Sequence, residues 1–159
     1  IGLEGDTIGR RAWLFNGDIV GFDIDSPVDG VITSSVDLQG KAGYEGGVWL
    51  RDLSSSTAAT AAVNSGLTNG GTTGGGVAHL HVTSVNSTGS ATFVVQHSTS
   101  GSTWATLITF SAATTSGAQR STVAGTIKEQ LRTDNTAQGS TANTFQAAVA
   151  FARYGPYKG

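Results

Sequence analysis

The chain reads as an all-β domain, an antiparallel β-sandwich or barrel with long Gly/Ser/Thr loops, on three observations. Apolar residues recur at alternate positions in short runs. The runs are separated by stretches of Gly, Ser, Thr and Asn, which supply turns and loops. Sustained apolar spacing at i, i+3, i+4 and i+7 with caps at both ends is absent, so at most one short helix is expected.

The first expected strand is Ala12 to Phe15, followed by Asn16-Gly17-Asp18, a sequence suited to a tight hairpin. Ile19 to Asp25 comes next. From Val20 onward it places Val20, Phe22 and Ile24 on one face and Gly21, Asp23 and Asp25 on the other, the pattern of a half-buried strand. Val31 to Leu38 alternates more weakly, and Gly46 to Leu50 is a short apolar strand. Ser54 to Gly76 holds few large apolar groups and reads as a long loop or linker. Within it, the Ala-rich Thr57 to Val63 offers one turn of helix at most. The chain thus divides into an acidic β-rich part (1–53), a linker (54–76) and a second β-rich part (77–159), the first and third packing as one domain.

Alternation then returns in Ala78 to Val82 and in Thr92 to His97, with a turn over Ser98 to Ser102. Trp104 to Phe110, Ile127 to Thr133 and Phe145 to Tyr154 complete the set of strands. Val123, Ile127 and Leu131 are spaced like a helical face, but Gly125 and Thr126 weaken a helix, so the stretch is assigned to strand. The tail from Tyr154 to Gly159 is a polar aromatic end, expected to be mobile or docked on a neighbour.

Composition narrows the function classes. The 159 residues suffice for one core without staples, and there is no Cys for disulfides or thiolate metal sites. Only 13% of residues are charged, about half the usual ~25%, which leaves a neutral, hydrogen-bonding surface suited to self-packing. The net charge of −2 argues against binding nucleic acid through phosphate neutralisation. The charge is also split. Up to Leu53 nine acids face four bases, a balance of −5, and beyond it two acids face five bases, a balance of +3. A head-to-tail assembly can use such a dipole. No apolar run is long enough to span a membrane. The absence of Met means that Ile1 is not an initiator, so either a processed chain or further residues ahead of Ile1 are expected.

Three clusters carry residue types suited to chemistry. His79 and His81 share one strand face at ligand spacing for Zn or Cu, but His97 is the one other His and nearby acids are scarce. Asp23 and Asp25 share a face, with Asp18 and Asp29 in the flanking turns, which suits Ca²⁺ or an acid/base pair but is equally the solvated face of a strand. Trp13, Trp49 and Trp104, with Tyr44, Tyr154 and Tyr157, are candidates to stack sugars, although Trp13 and Trp104 lie in apolar strands and fit a core. There is no G-x-S-x-G elbow and no phosphate-binding loop motif, and the runs Gly70-Gly71 and Gly74-Gly75-Gly76 are not followed by a helix. No catalytic residue, metal ligand or cofactor is assigned.

Several segments resemble the major tail (tail tube) proteins of long-tailed bacteriophages. They are Gly2-Leu3-Glu4-Gly5-Asp6 leading to Arg10-Arg11-Ala12-Trp13, then Ser26-Pro27-Val28-Asp29 and Gly46-Gly47-Val48. They continue with Gly74 to Val82, and Gln96-His97-Ser98 running to Gly101-Ser102-Thr103-Trp104. The last are Gly125-Thr126-Ile127, Leu131-Arg132 and Ala148 to Arg153. They cover most of the chain in order, and none is a catalytic motif. Similar proteins carry Asp where this chain has Ser100 and an aromatic where it has Gln130, and they begin with a further β-rich segment before the equivalent of Ile1.

The resemblance implies a virion protein, assembled in the host cytoplasm into stacked, usually hexameric rings around a channel for DNA. It implies further virion proteins as partners, passive passage of DNA and no membrane. The acidic first part is then expected to face the channel, where a negative wall lets DNA slide. Two other readings remain: a carbohydrate-binding or capsid-decoration sandwich, and a hydrolase built around His79 or His81.

Overall fold

The computed structural model describes residues 7–14, 17–25, 33–40, 45–57, 66–68, 70–86, 89–138 and 144–155. Among these there are strands and no helix. The strands are β1 (Arg11–Leu14), β2 (Gly17–Asp25), β3 (Thr33–Gly40), β4 (Glu45–Thr57), β5 (Leu67–Thr68) and β6 (Gly76–Asn86). They continue with β7 (Ala91–Ser98), β8 (Ala105–Thr109), β9 (Gly117–Val123), β10 (Gln130–Gln138) and β11 (Thr144–Arg153).

Two open antiparallel sheets form a sandwich. One has the order β1-β4-β11-β6-β9 and the other β5-β10-β7-β8. Neither closes on itself, so the sandwich is formed and the barrel is not. The strands β2 and β3 pair with each other as a separate two-stranded ribbon. Because β4 pairs with β11 over most of its length, the first and last parts of the chain share one sheet.

Period-2 alternation builds the core. On β6, Ala78, Leu80 and Val82 face inward; on β11, Phe145, Ala147, Val149 and Phe151 do so. From the opposing sheet come Phe93 and Val95 on β7, Ile108 on β8 and Leu131 on β10. Phe93 and Phe145 meet edge to face across the two layers, with centroids 6.4 Å apart. Burying each large apolar side chain contributes about 1.5–3 kcal/mol before entropy is counted.

Arg51 is buried in this core. Five steps along β4, from Trp49 to Ser54, face three along β11, from Ala150 to Ala147, so β4 bulges there. Arg51 donates from Nε to the Ala147 carbonyl (3.0 Å) and from Nη1 to Asn135 Oδ1 (3.4 Å). Its guanidinium also lies 5.6 Å from the centre of the Phe93 ring. Burial pushes its pKa down, and Asp52 opposes that shift.

Several sequence expectations are corrected. Asn16-Gly17 does not join a β1–β2 hairpin: β1 pairs with β4, and β2 turns to β3. The linker expected at 54–76 is partly strand. β4 runs through Thr57, β5 lies within it, and Thr72 bridges Ile127. The helical turn expected over Thr57 to Val63 lies outside the described residues, apart from Thr57, which ends β4. Val123, Ile127 and Leu131 do not share one strand: Val123 ends β9, Ile127 makes the isolated bridge to Thr72, and Leu131 belongs to β10. Tight turning at Gly125, with φ 88°, separates them. The polar strand β9 escapes an alternation search because it has almost no apolar side to show.

Candidate functional site

Three surfaces stand out, and the first is the ribbon. Register pairs Phe22 with Val36 and Ile24 with Ser34, and alternation along β2 puts Val20, Phe22 and Ile24 on one face. Gly21 pairs with Asp37 and Asp23 with Ser35 on the other. The apolar row is not half-buried as the alternation suggests. Val20 is 59% exposed, Phe22 63% and Ile24 57%. An isolated two-stranded ribbon is marginally stable at best in water, so this apolar face calls for a covering layer.

The second is a polar cluster on the outer face of the five-stranded sheet. Glu45 opens β4, His79 lies on β6, Arg120 on β9, and Tyr154 follows β11. Arg120 Nη2 donates to Glu45 Oε1 (2.7 Å) and to the Tyr154 hydroxyl oxygen (3.3 Å). The Tyr154 hydroxyl donates to Glu45 Oε1 at 3.1 Å, and His79 Nε2 lies 3.4 Å from Glu45 Oε2. Burial lowers the His79 pKa, partly offset by its hydrogen bond to Glu45. The Glu45 hydrogen bond raises the Arg120 pKa. For Tyr154, burial and then the Glu45 hydrogen bond raise it. The carboxylate is thus met by three partners, and its chemistry is that of a clamp joining β4, β6, β9 and the end of β11.

The third is a cleft of about 970 Å³ at one end of the sandwich. Small residues such as Gly46, Gly70, Thr73 and Thr126 line it, together with Lys128 and Arg153. Arg153 Nη2 donates to the carbonyls of Lys128 (3.0 Å) and Glu129 (3.2 Å). Its Nε and Nη1 are buried without a hydrogen-bond partner among the described residues. Burial pushes its pKa down to about 10.

The residues singled out in the sequence distribute as follows. His79 and His81 do share a strand face, but His79 is buried on Glu45 while His81 is exposed. His97 lies on β7 of the other sheet, where its Nδ1 accepts from the Lys128 backbone N–H. Asp18 and Asp23 are exposed on the ribbon, Asp25 ends β2, and Asp29 lies outside the described residues. Among the described residues no three His, Asp or Glu side chains converge as a metal-holding group.

The aromatic expectation changes most. Trp13, which fits a core by its sequence, is 38% exposed, and Trp49 is buried. Trp104 precedes β8, donates from Nε1 to the Gly101 carbonyl (3.0 Å) and lies 4.3 Å beneath the Arg132 guanidinium. Tyr44 and Tyr157 lie outside the described residues.

Sequence reasoning missed Glu45 and Arg120, which are 75 positions apart and are brought together by the sheet alone. It also missed the paired roles of Lys128 and Arg153. No helix among the described residues is long and apolar enough to cross a membrane. No protein-family model, curated protein or solved structure matches the chain.

Proposed function

We propose that this chain is a non-catalytic structural subunit of a bacteriophage virion, self-assembling into the stacked rings of a tail tube through which DNA passes. The observation that carries the reading is the ribbon, whose apolar row is 57–63% exposed at Ile24, Val20 and Phe22. A row of that kind on a separate ribbon is what an assembly arm presents before it meets its neighbour. Low charge and the absence of Cys fit a surface that packs against copies of itself. The ordered likeness of its segments to tail tube proteins supports a tail tube over other assemblies.

Negative-stain electron microscopy of the purified chain, with any residues that precede Ile1, tests the reading. Hollow rings or tubes are expected, with six-fold class averages. Dispersed small particles at every concentration tried would overturn it and turn attention to sugar binding.

A further inference from the structure

We propose that the acidic ribbon of one copy docks in the Lys128–Arg153 cleft of a second copy. The inference rests on the self-assembly reading and adds the receiving surface, which that reading leaves open.

Charge complementarity is the first argument. Residues 17–40, which span the two ribbon strands in sequence, hold Asp18, Asp23, Asp25, Asp29 and Asp37 and no Lys or Arg, a balance of −5. The rest of the chain holds nine bases against six acids, a balance of +3. The chain is therefore an acidic arm on a basic body, which favours contact between the arm and a body.

The second argument is the state of Arg153. Among the described residues its guanidinium meets two backbone carbonyls and no carboxylate, and two of its nitrogens have no partner. Arg153 as a whole is half-buried, but a buried guanidinium N–H without an acceptor costs free energy, and an arriving Asp carboxylate supplies that acceptor. Lys128 lines the same cleft and adds a second positive charge, against the single negative charge of Glu129.

Shape is the third. Gly46, Gly70, Gly71 and Gly155 line the cleft, so an incoming backbone can approach closely where side chains would block it. Val48, Ile127 and Phe151 supply an apolar floor. The cleft thus presents both apolar and cationic groups to a ribbon that carries both apolar and acidic side chains.

The chain has no Cys, so single introduced cysteines are unique handles. One pool carries Ser35→Cys on the exposed ribbon and a second carries Thr126→Cys at the cleft. Mixed pools treated with a short bis-maleimide are expected to give cross-linked dimers well above either pool alone. Adding Lys128→Glu to the cleft pool is expected to lower the yield about tenfold, and Asp23→Lys in the ribbon pool is expected to restore it.

Rings or tubes without the mixed cross-link would overturn the docking site and leave the self-assembly reading standing. An equal cross-link within a single diluted chain carrying both cysteines would overturn the second copy as occupant. A chain that sediments as monomer at every concentration would overturn both. Circular dichroism of each variant separates misfolding from lost docking.

Discussion

The sandwich and the ribbon are written in the same alternating pattern and meet opposite fates. On β6, Ala78, Leu80 and Val82 face inward and are buried against a second sheet. On β2, Val20, Phe22 and Ile24 are spaced identically and remain 57–63% exposed. The difference lies in the partner layer and not in the strand. Among the described residues the ribbon has no sheet stacked on it, whereas β6 has β11 and β9 beside it and the β10-β7 sheet across from it. Alternation encodes a face that requires cover and is silent about what covers it.

The sharpest way to break this comparison is to truncate one aromatic on each side. Phe93→Ala removes the edge-to-face partner of Phe145 and the ring beneath Arg51, and is expected to cost about 3–5 kcal/mol of folding stability by urea denaturation. Phe22→Ala is expected to leave the denaturation midpoint of the dispersed subunit unchanged. A similar loss for both would mean that the ribbon is part of the cooperative fold.

The reverse effect is expected for association. Phe22→Asp with Ile24→Asp places two charges on the exposed row. It is expected to weaken assembly by roughly 3 kcal/mol, about a 150-fold rise in the dissociation constant, while the subunit stays folded. Sedimentation across a concentration series reads this directly, and unchanged assembly would remove the ribbon from the interface.

A smaller effect is expected where β4 passes β11. A Cβ on Gly47 would lie 2.4 Å from the Phe151 carbonyl oxygen, which is backbone and cannot swing aside. Gly47→Ala is therefore expected to cost about 1–3 kcal/mol. Gly117→Ala is the matched control, since its Cβ would meet nothing within 4 Å.

The smallest effects concern the polar clamp. Glu45→Gln leaves the Arg120 pair without its charge and is expected to cost no more than about 1 kcal/mol, as partly exposed ion pairs do. The folded pKa of His79 lies below its ordinary value, with burial as the largest cause. Below about pH 6.5 the unfolded chain therefore binds a proton that the folded chain resists, and stability falls as pH falls through that window. His79→Gln is expected to flatten this slope, read as the urea midpoint at about pH 7.5 and about pH 5.5. An unchanged slope would assign the pH dependence to half-buried His97, whose value is lowered by burial as well.

Legibility differed between the two regions for a physical reason. Phe145 to Tyr154 shows as a strand because Phe145, Ala147, Val149 and Phe151 form one row, and that row lies in the core. The polar strand β9 shows no row, yet it pairs with β6 because an exposed edge needs only backbone groups. The shared face of His79 and His81 is readable from their spacing. Glu45, 34 positions before His79, is not, because sheet order alone brings their strands together.

The sequence by itself determined the all-β class, most strand positions, the row Val20-Phe22-Ile24 and the split of charge. These are local or compositional properties, carried by a two-residue period and by counts. The tertiary structure alone decided that β1 joins β4, that β2 and β3 stand apart, and that Arg51 enters the core. It also decided that Glu45, His79, Arg120 and Tyr154 meet. Each of these depends on pairing between distant strands, which is fixed by how whole faces bury one another and not by any short stretch of chain.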